Sequence, residues 1–213
     1  MAELPVNKER LEKIIIMKNI WIILFFIAFA SCGQVHSEFK LQNSYQVSTK
    51  SPVCINAKNC FYFQSDDYLN YLIIHYSDVK SAHKVLLDSI EFSPYASTLH
   101  SFKSKIDSSY VVLWETKYEY FPIILAYYLK GGKVVKIGEL EISLPCNGCE
   151  SFEYPIKEIL ITQTNKEIEF SFLKDVNFWN QEINERQIFK PGTFKYQFNI
   201  ETNELRPVIL LPK

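Results

Sequence analysis

Apolar and polar residues alternate with a period of two through much of the second half of the chain. Phe194, Tyr196, Phe198 and Ile200 alternate with Lys195, Gln197 and Asn199, and Ile168, Phe170 and Phe172 alternate with Glu167, Glu169 and Ser171. Successive side chains of a strand point to opposite faces, so each run predicts a strand with one face in a core and the other in water. Between Tyr110 and Tyr120, residues Tyr110, Val112, Trp114, Tyr118 and Tyr120 share one face while Glu115, Lys117 and Glu119 share the other, which predicts another half-buried strand. Phe61 and Phe63 start a further strand. Leu69 to Tyr76 is nearly continuous in apolar residues, as for a strand covered on both faces.

Turn residues order these strands. Gly131-Gly132 lies between the runs Phe121–Leu129 and Val134–Ile142, and because both glycines accept positive φ the pair predicts a tight hairpin. Within the second run Val135 and Ile137 are odd-numbered, whereas Leu140, Ile142 and Leu144 are even-numbered; the phase flips at Gly138 and predicts a β-bulge there. A hairpin runs from Ile156 to Thr162, turns at Asn165-Lys166 and returns through Phe172. The last pair, Phe194 to Ile200 and Leu205 to Leu211, turns near Asn203, and Pro207 points to an edge position. Ser77 to Ile90 reads either as a helix behind a Ser77 cap or as a strand through Val85-Leu86-Leu87, and Asp175 to Gln187 as a short helix or excursion. Consecutive hairpins without a βαβ rhythm predict an all-β fold: an antiparallel meander of hairpins forming a sandwich or barrel-like sheet, with at most one or two short helices. A regular propeller is the least favoured arrangement, because the hairpins repeat no fixed-period motif.

The first 32 residues follow a different rule. Met17-Lys18-Asn19 is a short cationic start, Ile20 to Ala30 is an apolar run of 11 residues, and Ala30-Ser31 places small side chains before Cys32. The run fits the ~7–15 residues of a signal-peptide core and falls well short of the ~20 that span a bilayer as a helix. This segment resembles the signal peptide and lipobox of bacterial lipoproteins. The resemblance implies acylation of Cys32 by chains such as palmitate, removal of residues 1–31, and anchorage of the remainder on a membrane. Met17 would itself serve as a start. Gly33 to Ser37 holds no acidic cluster, so the resemblance places the protein in the cell envelope, on the outer membrane facing the periplasm. Gly33 to Lys50 is polar and without sustained periodicity. The expected organisation is therefore a signal peptide (1–31), a lipidated tether (32–50) and a single all-β domain (51–213).

Four cysteines remain once Cys32 carries lipid: Cys54, Cys60, Cys146 and Cys149. In an oxidising compartment an even number favours disulfides, and the pairing with least chain closure is Cys54 with Cys60 and Cys146 with Cys149. A four-thiolate metal site and a thiol-redox role for Cys146-Asn147-Gly148-Cys149 are the weaker readings, since the first pair is widely spaced and no helical pattern follows the second.

Charge narrows the partners. The formal net charge is −1, and loss of residues 1–31 removes four basic and three acidic residues to leave −2; no basic stripe for nucleic acid is visible. There is no Gly-x-Ser-x-Gly, His-Glu-x-x-His or phosphate loop. Asp66-Asp67 beside Ser65 reads as a turn. His75, His83 and His100 show no ligand-pair spacing, so neither a metal nor another cofactor is expected. Among the abundant aromatics Trp114 belongs to a core by its alternation, whereas Trp179, in the polar stretch Asn177-Phe178-Trp179-Asn180, is the candidate for a binding surface. Together these point to a non-catalytic domain that binds a protein or glycan of the envelope through loops. A periplasmic inhibitor or immunity-type protein is the alternative, and a thiol-redox or saccharide-acting enzyme a more distant one.

Overall fold

The computed structural model describes residues 37–48, 50–65, 70–78, 81–90, 97–118, 121–145, 153–180 and 185–210. Residues 1–36, which include the expected signal peptide and Cys32, as well as Asp66-Asp67, Cys146 and Cys149, lie outside them.

The all-β expectation holds. The chain forms β1 (Ser37–Gln46), β2 (Val53–Cys54), β3 (Asn59–Ser65), β4 (Asn70–Asp78), β5 (Ser81–Ile90), β6 (Thr98–Ser104), β7 (Tyr110–Tyr118) and β8 (Phe121–Lys130). There follow β9 (Lys133–Leu140), β10 (Ile142–Ser143), β11 (Ile159–Gln163), β12 (Glu167–Phe172), β13 (Val176–Asn180), β14 (Glu185–Phe189), β15 (Phe194–Asn199) and β16 (Glu204–Ile209). Nine strands make one antiparallel sheet in the order β16-β15-β12-β11-β1-β6-β7-β8-β9. Its two edges approach at Gly138 of β9 and Leu205 of β16, so the sheet curls into a nearly closed, barrel-like form. Two smaller sheets accompany it, β2-β3-β4-β5 and β10-β13-β14.

Apolar residues separate into two clusters on opposite sides of β7 and β8. Val111, Leu113, Ile124, Ala126 and Tyr128 face the inside of the curled sheet with Phe39, Phe102, Ile161, Ile168, Phe170, Phe198 and their neighbours. Val112, Trp114, Leu125, Tyr127 and Leu129 face the other way, against Val53, Phe61 and Phe63 of the β2–β5 sheet. Rings meet across that contact, Phe63 with Trp114 at 5.1 Å between centroids and Phe61 with Tyr127 at 6.4 Å. The third sheet closes on the inner cluster through Phe178 and Phe189, whose ring centroids lie 5.0 and 4.8 Å from that of Phe194.

Several expectations are corrected. Residues 37–46 are not tether: they form β1, which lies between β11 and β6 and joins the two halves of the large sheet. Its alternation is hidden because the register against β6 shifts between Leu41 and Asn43, leaving Gln42 as an extra residue. The 110–120 strand is not half-buried from Val111 to Trp114, which are all buried; there the β2–β5 sheet dries one face and the curled sheet the other. Of the two readings of Ser77 to Ile90 the strand stands and the helix falls: Ser81–Ile90 is β5, and a register shift leaves Leu87 unpaired between Leu86 and Asp88, which breaks its period of two. The described residues of Asp175 to Gln187 form β13 and the start of β14 rather than a helix. The sheet is also not a simple meander, because β1 is inserted between strands distant in sequence.

Other expectations stand. Gly131 and Gly132 turn at φ 58° and 81°, Asn203 turns at φ 56°, and β16 with Pro207 is an edge strand. The β8–β9 register slips so that Ala126 faces Gly138 and Tyr127 faces Lys136, which places the bulge at Ile137-Gly138.

Gly138 has φ +143°, and a Cβ there would lie 2.8 Å from Leu205 Cδ2. Gly138→Ala is expected to cost about 1–3 kcal/mol of unfolding free energy; an unchanged urea midpoint would show that the edges do not meet at this residue. In the 105–108 turn, burial pushes the Asp107 carboxyl up, but hydrogen bonds from the Ser109 side chain and backbone, from Ser104, and the charge of Lys130 at 3.4 Å outweigh it and hold Asp107 at about 2. A depressed acid stabilises the fold in full above its ordinary range and loses that contribution as pH falls from about 4 through about 2. The stability difference between wild type and Asp107→Asn should therefore shrink between pH 5 and pH 2 in urea titrations. A difference independent of pH would contradict the assignment.

Candidate functional site

The three strands β1, β6 and β7 lie side by side, and their register carries one polar group from each onto the same face. Across β6 and β7, His100 is opposite Leu113, and Glu115 is two residues further along, opposite Thr98. Across β1 and β6, Ser44 is opposite His100. Directly opposed residues of a ladder project to the same side, so all three belong to the face that carries Phe102, Leu113 and Ile124. The bulge at Gln42 is decisive for Ser44. Leu41 faces Phe102, and without the extra residue His100 would meet Asn43.

The side chains form a continuous relay. Ser44 Oγ lies 2.8 Å from His100 Nδ1, and His100 Nε2 lies 2.8 Å from Glu115 Oε2. His100 is 7% exposed, Glu115 is half-buried and Ser44 is exposed, so the chain of hydrogen bonds runs from inside the sheet to its surface. A carboxylate only accepts, so Nε2 donates to Glu115; in the tautomer that carries its single ring proton there, the Nδ1 lone pair accepts the Ser44 hydroxyl proton. Beyond Phe39 the ladder between β1 and β11 ends, whereas that between β1 and β6 continues to Gln46. Ser44 thus stands on a stretch of β1 whose second edge has no ladder partner among the described residues.

A second polar group lines the other end of the same face. Ser37 Oγ is 2.8 Å from Ser104 Oγ, and Gln163 Nε2 donates to the Tyr128 hydroxyl at 3.1 Å. These residues are buried, so they satisfy one another within the core.

The residues singled out from sequence are dispersed. Cys54 and Cys60 oppose each other on β2 and β3 and form a disulfide. Trp114 is fully buried. Trp179 is half-buried on β13, paired with Arg186 of β14, whose guanidinium carbon lies 6.0 Å from the indole centroid. Asn177 pairs with Ile188, so Trp179, Arg186 and the 63% exposed Ile188 share the face turned away from the inner cluster. His75 and His83 belong to β4 and β5, with side chains outside the described part. The relay escaped motif reading because its members are far apart in sequence and no local signature joins them; the histidine count was the one available signal.

Comparison of the chain with known protein families, with curated proteins and with solved structures finds no match.

Proposed function

We propose that this protein is a lipoprotein of the cell envelope, anchored through acylated Cys32 on the outer membrane facing the periplasm, whose all-β domain engages a protein or glycan of that compartment. The observation that carries the reading is the succession of residue types from Met17 to Cys32: cationic start, short apolar core, small residues, cysteine. The Cys54–Cys60 disulfide supports it, because such bonds persist outside the reducing cytosol. With β1 beginning at Ser37, only Gly33 to His36 separate the anchor from the first strand.

For the binding surface, the outward face of β13 and β14 offers an indole, a guanidinium and an exposed isoleucine together. Trp and Arg are the side chains most enriched among residues that dominate binding energy. An isolated exposed apolar residue would carry no such meaning.

Mass spectrometry of the protein purified from native membranes is expected to find an amino terminus at Cys32 bearing fatty acyl chains, and Cys32→Ser is expected to leave the signal uncleaved. An intact amino terminus without fatty acid would overturn the address. A photo-crosslinker at position 188 should trap one discrete envelope component in those membranes, and its absence would remove the binding role from this face.

A further inference from the structure

We propose that Ser44, His100 and Glu115 form a nucleophilic site that cleaves uncharged carboxylic esters. The proposal is independent of the membrane address and goes beyond binding. Three requirements of hydroxyl nucleophiles meet here. The nucleophile is hydrogen-bonded to a base at 2.8 Å, and the base to an orienting carboxylate at 2.8 Å. The nucleophile is exposed whereas the base is buried, so a substrate reaches the hydroxyl without displacing the ring. The hydrogen-bond polarity is also the productive one, since Nδ1 accepts the proton that Ser44 must lose.

The reaction closes on atoms the site and water supply. Ser44 Oγ attacks the ester carbonyl carbon as its proton passes to His100 Nδ1. The imidazolium is held by the Glu115 carboxylate on Nε2. Collapse breaks the carbonyl-to-alkoxy bond, and the leaving alcohol takes the proton from Nδ1. Water then attacks the acyl–Ser44 ester, giving a proton to Nδ1, and the acid departs as Ser44 regains its hydrogen. Ser44 and His100 are the catalytic residues, and Glu115 is a positioning residue.

Two features select the substrate. Past Phe39 the outer edge of β1 has no ladder partner among the described residues, and alternate N–H groups along such an edge are the kind of donor that receives a developing oxyanion. The charge hydrogen-bonded into the relay is negative, and among the described residues no lysine or arginine is ion-paired to Glu115; an anionic phosphate ester is repelled and a neutral acyl ester is not. The β-bulge at Gln42 belongs to the same design, because it exchanges Asn43 for Ser44 opposite the base.

The test is labelling of the full chain, purified in detergent, with a neutral alkyl fluorophosphonate, which transfers its phosphoryl centre to an activated serine with loss of fluoride. One equivalent of adduct on Ser44 is expected by peptide mass spectrometry, and none in Ser44→Ala, whose exposed position leaves the fold intact. Glu115→Gln is expected to lower the limiting labelling rate about 10²-fold or more with the half-saturating probe concentration unchanged, a split that a purely structural role would not produce. His100→Gln should abolish labelling, with circular dichroism confirming strand content. Absence of adduct on Ser44 in the wild-type chain, or wild-type labelling rates in Glu115→Gln, would overturn the proposal.

Discussion

Drying of β7 and β8 on both faces is the constraint from which the rest of the architecture follows. One face closes the curled sheet, through Val111, Leu113, Ile124 and Ala126; the other seats the β2–β5 sheet, through Val112, Trp114, Leu125 and Tyr127. Either surface alone would leave large apolar side chains in water. The scale is decisive: truncating one such aromatic typically costs about 3–5 kcal/mol, against a total domain stability of about 5–15 kcal/mol. β6 is fixed beside β7 by the same burial, with Leu99 in the outer cluster and Phe102 in the inner one, and β1 is in turn fixed beside β6.

Polar chemistry in this domain is a by-product of that scaffold. His100 lies in β6, which is itself buried from Leu99 to Phe102, and its ring is satisfied at both nitrogens by groups from the flanking strands. Because the strands are packed, the ring has little freedom to turn away from either partner. Only Ser44 sits where the sheet opens, beyond the end of the β1–β11 ladder. Rigidity behind an accessible hydroxyl is the arrangement that pre-organised sites require.

Local pattern made the hairpins legible, and long-range register did not. The β11–β12 and β15–β16 pairs read correctly because each has a clean alternation and a turn residue between its runs, and the Gly138 bulge read correctly because a phase flip coincides with a glycine. β1 was missed for the opposite reason: its bulge falls on Gln42, a residue with no conformational signature, within a polar stretch. The charged residues after Trp114 made β7 look wet on one side, although the strand is dry from Val111 to Trp114. Ser44, His100 and Glu115 meet only because β1 is inserted beside β6, an event that no short window of sequence records.

Native-state hydrogen exchange on the full chain tests the central constraint most directly. If two-sided burial organises the fold, the amides of Val111 to Trp114 and of Ile124 to Leu129 exchange slowest, by global unfolding alone, while those of the edge strand β16 exchange through local opening. Exchange of the β7 and β8 amides as fast as those of β16 would contradict the account.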